Sequence, residues 1–389
     1  MHNLDFEQVW LYDFGPADIA KNEAVQKKAP QKKRIQSALW FLPEIDNPFY
    51  GGIHTILRLA DKLHQEGIRS SFLIDNPKKD NFLLAKITEA FPSLSDSRIY
   101  FVPENRRLDS IPEHDISICT LWTTAYLSLK FNRVRRKFYM IQDAENFFYP
   151  AGFISGLVEA TYRFGFLGIC NTEAIAEYYR TRYGAVAEAI QPAVDHAIFH
   201  AGRVPSRERF EDTSIFFYGR PGHPRNAFGL GISALRKVKK QYGIRVRIVA
   251  AGSSWKPEDY GLDGIIENLG VLKYHQTGDL YRKCDIGLSM MFTPHPSYLP
   301  FQLMACGVAV VTNKNESTEW FFKDRKNCLV SPPTATCLFE SINSLIVLPE
   351  LRNQIVQGGL ETIKNYGTWE EQMNKIYRFI VAQTTGTSA

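Results

Sequence analysis

Two patterns of apolar and polar residues alternate along most of the chain: short continuous apolar runs, and apolar residues repeated at helical spacing. Short apolar runs such as Ser37–Leu42 and Ser71–Ile74 predict buried strands. Between these runs, apolar residues recur at helical spacing from Ile53 to Leu63, and Gly67 marks the end of that helix. A strand, a turn, a helix and a second strand in this order predict a βαβ unit.

The same alternation continues in two halves, separated by a polar segment at 201–213 that predicts a linker. Further strands are predicted at 116–120, 137–141, 168–170, 189–192, 214–218, 245–250, 286–289 and 308–312. Helices are predicted at 172–183, 227–241, 280–284 and 299–306, and the chain after 312 is predicted to be mostly helical. This pattern predicts an α/β protein with two doubly wound, Rossmann-like domains facing across a cleft, at 35–205 and 206–365.

Residues 1–34 are predicted to be an N-terminal extension. The stretch 27–34 is basic and interrupted by Pro30, which is typical of a solvated linker. The alternative is a patch that touches anionic lipid or a polyanionic partner.

Composition excludes several classes of protein. With 44% hydrophobic and 13% aromatic residues, the 389-residue chain is not disordered, and a net charge of +5 argues against a nucleic-acid binder. The six cysteines form no CxxC pair and are interpreted as reduced core residues of a cytoplasmic protein. No signal peptide is predicted, and prolines break the uncharged stretch 286–313, so no membrane span is expected there.

The most informative block follows the predicted strand at 214–218. Gly219, Arg220 and Arg225 lie in a loop rich in glycine and proline, directly before a helix. Two cations beside a helix start favour a phosphate or diphosphate. The alternative is a pair of ordinary surface arginines.

A second block follows the strand at 286–289. Here His295 and the segment Ser297, Tyr298 and Leu299 precede a buried helix, and Gln302 lies in its first turn. Unsatisfied N–H groups at this helix start offer another anion site. The alternative is a proline-rich surface loop.

Two blocks in the first half are weaker. Gly51 and Gly52 at a helix start would let a substrate approach the backbone, or form an ordinary turn. Asp143 and Glu145 follow a buried strand among aromatic residues, where carboxylates suit hydroxyl binding or general-base work. They could instead cap a helix.

Together these blocks resemble the GT-B glycosyltransferases of family 4, over about residues 36–385. Gly219-Arg220 with Arg225 is similar to the family's Gly-Arg and lysine motif, with arginine in the lysine position. Leu299-Pro300 and Met304–Gly307 are similar to its Leu-Pro and Met-Ala-Cys-Gly segments. Gln191–Phe199 resembles the end of its N-terminal domain, and the helix at 366–389 resembles the one that crosses back to that domain.

The sequence departs from the family pattern at two glutamates. Gln302 stands where the ribose-binding glutamate is expected, and Pro294 or His295 where the sugar-binding glutamate is expected. The segments 142–145, 148–152 and 295–300 are similar to rhamnosyltransferases of the WsaF type, which assemble bacterial surface glycans with dTDP-L-rhamnose.

The resemblance implies transfer of a sugar, L-rhamnose from dTDP-L-rhamnose, to a hydroxyl of a growing surface polysaccharide such as an O-antigen. It implies a retaining reaction. Because Arg220 and Arg225 would neutralise the diphosphate and no Asp-x-Asp motif is present, we expect no metal and no further cofactor. Asp143 and Glu145 would contact the reacting hydroxyls, with Gly51, Gly52 and His295 beside the substrates. The donor site would contain Gly219, Arg220, Arg225, Gly252, Val271, Leu272, Ser297, Tyr298, Leu299 and Gln302.

The expected partners are a nucleotide-sugar donor, a glycan or lipid-linked glycan acceptor and other glycan-assembly enzymes, but no nucleic acid. The chain is expected in the cytoplasm, with loose association at the inner face of the membrane as a further hypothesis. Three alternatives stay open: a transferase that uses a UDP- or GDP-sugar, an inactive nucleotide-binding scaffold, and a GT-B epimerase or phosphorylase. His54, His223 and His295 keep the epimerase in consideration.

Overall fold

The computed structural model describes residues 6–45, 48–49, 51–76, 80, 82–202 and 213–387. These residues form two compact units. The first contains the chain up to Gln191 and again from Glu370 onward, and the second runs from Pro192 to Trp369. The predicted boundary at 205–206 lies outside the described residues.

The first unit is built on a parallel sheet of seven strands in the order β3-β2-β1-β4-β5-β6-β7. Its central strands consist almost entirely of buried residues, as expected for a sheet covered by helices on both faces. The strands are β1 Ser37–Pro43, β2 Arg69–Asp75, β3 Arg98–Phe101, β4 Ile116–Cys119, β5 Arg136–Ile141, β6 Leu167–Asn171 and β7 Ala187–Ile190. The helices are α1 Pro16–Gln26, α2 Gly51–Gln65, α3 Leu83–Ala90, α4 Trp122–Lys130, α5 Phe153–Thr161 and α6 Glu173–Tyr183.

The second unit has a parallel sheet of six strands in the order β10-β9-β8-β11-β12-β13. Its strands are β8 Thr213–Tyr218, β9 Val246–Ala251, β10 Glu267–Asn268, β11 Ile286–Leu288, β12 Ala309–Asn313 and β13 Leu329–Ser331. Its helices are α7 Phe228–Tyr242, α8 Tyr274–Arg282, α9 Leu299–Ala305, α10 Ala335–Val347 and α11 Pro349–Lys364. A last helix, α12, spans Trp369–Thr385. The doubly wound α/β prediction is confirmed for both units.

The second unit begins earlier in the chain than the sequence predicted. Val194 and Phe199 belong to its buried core, and the Phe199 ring stacks on Tyr281 at a centroid distance of 5.9 Å. These contacts explain why the unit starts at Pro192, directly after β7.

Helix α12 packs on the first unit. The Lys375 ammonium donates to the Ala189 carbonyl at 3.0 Å and pairs with Glu188 at 2.7 Å. The Phe379 ring meets Phe138 of β5 edge-on at 6.1 Å. The chain therefore returns to the first unit after completing the second.

Part of the predicted N-terminal extension packs against the rest of the first unit. Helix α1 packs on the first unit through Val25, which is buried in its core, and through Asn22, whose amide donates to the Phe164 carbonyl at 2.6 Å. Gln26 exchanges two hydrogen bonds with the backbone of Lys137. The first five residues of the predicted extension lie outside the described residues.

Other expectations hold. All six cysteines are free, and five of them are buried, as the composition indicated. The stretch 286–313 forms β11, α9 and β12 rather than one continuous helix. Among the described residues, no helix combines the length and apolar character that crossing a bilayer requires.

Arg136 joins both ends of the chain to β5. It is 6% exposed and donates to the carbonyls of Lys28 at 2.6 Å, Val25 at 3.3 Å and Gln383 at 2.8 Å. Arg136→Leu would remove three hydrogen bonds that a charged, buried guanidinium donates to these carbonyls, so we expect it to lower the free energy of unfolding by about 2–4 kcal/mol.

Urea denaturation followed by tryptophan fluorescence measures this loss. Arg107→Leu is the matched control because that side chain is 75% exposed and pairs only at the surface with Asp109. Equal midpoints for the two variants would contradict the assigned role of Arg136.

Candidate functional site

The loops after β8 and β11 lie side by side at the carboxyl edge of the second sheet. Strand order reverses between these two strands, which is where doubly wound sheets bind ligands. The Phe292 N–H donates to the Arg225 carbonyl at 3.0 Å, and the Asn226 amide donates to the Met290 carbonyl at 3.4 Å. The two blocks that the sequence singled out are therefore tied into one site.

Two glycines allow aromatic rings to pack against the backbone around Arg220. A Cβ at Gly219 would lie 3.0 Å from the Trp255 ring, whose Nε1–H donates to the Gly219 carbonyl at 2.9 Å. Gly252 has a φ of +116°, and a Cβ there would lie 2.5 Å from the Tyr218 ring. Both positions need glycine because aromatic rings pack directly on the backbone.

Neutral groups hold the guanidinium of Arg220. Its Nη1 donates to the Tyr218 hydroxyl at 3.3 Å, and its Nη2 donates to Nε2 of His223 at 2.6 Å. The guanidinium carbon lies 5.5 Å from the centre of the Tyr218 ring. Among the described residues, no carboxylate forms an ion pair with Arg220, so its charge is available to an anion.

The positive charge of Arg225 acts on two histidines of these loops. Burial, followed by the charges of Arg220 and Arg225, lowers the pKa of His223 to about 3. Burial and the charge of Arg225 lower the pKa of His295 to about 3 as well. Both imidazoles are therefore neutral near pH 7, and the arginines supply the positive charge of this site.

The loop before α9 has a defined backbone. Nδ1 of the buried His295 accepts the Ser297 N–H at 2.9 Å, and Ser297 has a positive φ of 68°. The Tyr298 ring lies 5.2 Å from His295 and 5.5 Å from Trp369. Gln302 in α9 is half-buried, and its side-chain amide makes no hydrogen bond with the part of the chain that the structure describes. Leu299, the first residue of α9, is buried.

A cavity of about 600 Å³ opens at the ends of β9 and β10. It is lined by Ser254, Trp255, Lys256, Asp259, Asn268, Leu269 and Gly270. The Gly252 N–H donates to the Gly270 carbonyl at 2.9 Å, which connects this cavity to the Arg220 loop. Val271 is 42% exposed beside it, whereas Leu272 packs against the core.

The remaining predicted residues lie in the first unit. A Cβ on Gly52 would lie 3.3 Å from the Gln142 amide, so the start of α2 at Gly51 borders the loop that holds Asp143. Asp143 is 6% exposed, and its carboxylate accepts the Ala144 N–H at 2.8 Å.

Glu145 supports the start of α4. Its carboxylate is 2% exposed and accepts the Trp122 N–H at 2.7 Å and the Tyr139 hydroxyl at 3.3 Å. A carboxylate at a helix N-terminus also interacts favourably with the helix dipole. This geometry favours the capping alternative for Glu145 over contact with a substrate hydroxyl.

Sequence reasoning missed the residues that fix the loop after β11. Asn313 accepts the Met291 N–H at 2.8 Å and donates to its carbonyl at 3.0 Å, and Asn315 donates to the Thr293 carbonyl at 2.9 Å. The sequence could have indicated them, because both asparagines come just after the strand predicted at 308–312. The role of His223 beside Arg220 was also missed.

A family comparison identifies the unit that contains this site. Residues 213–343 match the family described as WsaF, C-terminal domain. This stretch of the second unit is therefore similar to the C-terminal domain of WsaF. Arg220, His223, Arg225 and His295 all lie within the matched residues.

A comparison with curated proteins extends beyond residues 213–343. The chain is 37% identical over 383 residues to the O-antigen biosynthesis protein RfbC of Myxococcus xanthus. The match covers 97% of this chain and 30% of that protein. The chain therefore spans less than a third of the length of this relative.

Solved structures share the two-unit architecture. HepE of Anabaena, solved with UDP and glucose, is 15% identical with a TM-score of 0.71, covering 90% of this chain and 100% of that one. The sucrose-phosphate synthase of Thermosynechococcus elongatus is 13% identical with a TM-score of 0.67, covering 90% and 100%. WaaG, a glycosyltransferase of lipopolysaccharide biosynthesis, is 12% identical with a TM-score of 0.64, covering 90% and 100%. The chain has the GT-B fold that these structures share.

The neutral histidines predict a loss of stability in acid. An unfolded histidine has a pKa of about 6.5, whereas burial and the charge of Arg225 lower the pKa of His295 in the folded protein to about 3. Between these values the unfolded chain binds more protons, so the free energy of unfolding falls as the pH falls.

We expect the urea midpoint to decrease as the pH falls from about 6.5 toward about 3. His295→Asn should reduce that decrease, because the amide oxygen still accepts the Ser297 N–H but does not titrate. The control is His275→Asn on the exposed side of α8. An unchanged pH dependence in His295→Asn would contradict the neutral state of His295.

Proposed function

We propose that this chain is a glycosyltransferase that moves a sugar from a nucleoside diphosphate to a hydroxyl of a growing bacterial surface glycan. The observation that carries the proposal is the Arg220 guanidinium, held by neutral groups at the switch point of the second sheet. The family match to a WsaF C-terminal domain and the relative named for O-antigen biosynthesis support the class of product.

The chemistry follows from the charge that the reaction generates. As the glycosidic bond to the donor breaks, negative charge accumulates on the leaving diphosphate. Arg220 and Arg225 lie where they would stabilise that charge, and fixed donors of this kind are often the largest catalytic contribution. Because two guanidiniums balance the two phosphates, the proposed reaction needs no metal ion.

The cavity at Gly270 is proposed to receive the nucleoside. Its volume of about 600 Å³ lies within the range of small-molecule sites, and the link from Gly270 to Gly252 connects it to the arginine loop. HepE, which shares the fold, was solved with UDP-glucose. For this chain we propose dTDP-L-rhamnose, because Gln302 and His295 replace the glutamates of the family pattern.

The acceptor is proposed to bind the first unit. Gly51, Gly52 and Asp143 line the carboxyl edge of the first sheet, with Asp143 the group that contacts the reacting hydroxyl. We propose a retaining reaction, in which the leaving phosphate takes the proton.

We also propose a cytoplasmic location, with the exposed basic residues of 27–34 touching the inner membrane surface.

Nucleotide binding tests the donor site first. We expect dTDP to raise the melting temperature without Mg²⁺, since a ligand at 100 times its Kd stabilises a protein by about 2.7 kcal/mol. UDP, GDP and ADP are tested in the same way, as alternative nucleotides. Arg220→Ala should abolish the shift and lower kcat by about 10²–10³.

Lys240→Ala is the matched control, because it removes a positive charge from the exposed face of α7. Absence of a shift with every nucleotide would contradict the proposed donor site. Binding without turnover, with dTDP-L-rhamnose and a primer glycan present, would favour the inactive scaffold.

Substitutions at Asp143 and Glu145 are expected to have different effects, the first on sugar transfer and the second on the free energy of unfolding. Asp143→Asn should abolish transfer while dTDP binding and the melting temperature stay close to wild type. Glu145→Ala should lower the free energy of unfolding by about 1–3 kcal/mol, because the Trp122 N–H and the Tyr139 hydroxyl lose their acceptor. Transfer activity retained in Asp143→Asn would remove Asp143 from the proposed mechanism.

A further inference from the structure

The turn after β8 holds His223 against Arg220. The His223 N–H donates to the Arg220 carbonyl at 3.1 Å, which closes a four-residue turn with Pro221 and Gly222 at its centre. Proline is favoured at the second position of such turns. The backbone thus places the imidazole and the guanidinium side by side, with 2.6 Å between Nε2 of His223 and Nη2 of Arg220.

This contact fixes the tautomer of His223. A guanidinium can only donate, so Nε2 of His223 must accept. The neutral imidazole then carries its single proton on Nδ1. Arg220 and Arg225 reinforce the neutral state, since burial and both charges lower the pKa of His223 to about 3.

Two donors at this turn have no acceptor. Nδ1 of His223 and Nε of Arg220 are both buried, and neither has a hydrogen-bond partner among the described residues. Buried polar atoms are rarely left without a partner, and neighbouring exceptions need an explanation. A group rich in acceptor oxygens would satisfy both, and the surrounding positive charge favours an anion over a neutral acceptor.

We propose that His223 is a diphosphate-binding residue whose Nδ1–H donates to a phosphate oxygen beside Arg220, while its Nε2 keeps Arg220 oriented. This inference rests on the proposed donor site and names a residue in it. The His223 side chain is half-buried, and its neighbours Gly222 and Pro224 are exposed.

Binding of inorganic pyrophosphate and of dTDP, measured by isothermal titration calorimetry, tests this role. His223→Phe keeps the ring volume but removes both nitrogen functions, so we expect at least about tenfold weaker binding of both ligands. His223→Gln keeps an acceptor for Arg220 and a donor for phosphate, and should restore most of the affinity. His275→Gln, at an exposed position of α8, is the control.

Nitrogen NMR of histidine-labelled protein gives a second readout that does not depend on a folded His223→Phe variant. His223→Gln assigns the signal among the nine histidines. We expect the Nδ1–H tautomer in the free protein and a shift of the Nδ1 resonance on addition of pyrophosphate or dTDP.

The outcomes separate this inference from the proposed function. If pyrophosphate shifts the Nδ1 resonance but no nucleotide binds, the His223 site stands and the dTDP-sugar donor does not. If dTDP binds but the Nδ1 resonance is unmoved and folded His223→Phe binds as wild type, the role of His223 is overturned and the donor site stands. An Nε2–H tautomer in the free protein would also overturn it.

Discussion

The hydrogen bonds from Arg220 to two neutral acceptors are the interaction on which the candidate site depends. A guanidinium in a partly buried loop must find acceptors, and a carboxylate would satisfy it at the cost of its charge. Tyr218 and His223 orient the group instead without neutralising it. The guanidinium therefore keeps its positive charge at the switch point of the second sheet, where the proposed diphosphate would bind.

Several features of the surrounding fold hold the loop after β8 in place. Parallel strands bring the ends of β8 and β11 to one edge, and the Arg225 carbonyl and the Asn226 amide fasten the second loop to the first. Gly219 and Gly252 leave room for the aromatic rings that pack against the backbone. A site of this kind is specified as much by absent side chains as by the arginines.

The sequence predicted the parts of the fold that have a clear period. The strands and helices that frame Arg220, Arg225 and His295 were recognisable because buried parallel strands form apolar runs and their helices repeat every three to four residues. Strands β10 and β13, with two and three residues, are too short to show a period. The packing of α1 was missed because its anchors are hydrogen bonds to backbone that lies more than 100 residues away.

The departures from the family pattern are consistent with one another. A glutamate at the position of His295 would place negative charge near Arg225, and one at Gln302 would add negative charge to the first turn of α9. In this chain those positions carry an amide and an imidazole that stays neutral, so the site keeps a larger positive charge. A chain that no longer bound a ligand would be expected to lose the arginines as well as the glutamates. This chain keeps Arg220 and Arg225, and it keeps the glycines that position the Arg220 loop. The substitutions are therefore those expected if the proposed donor site takes a different sugar on the same diphosphate.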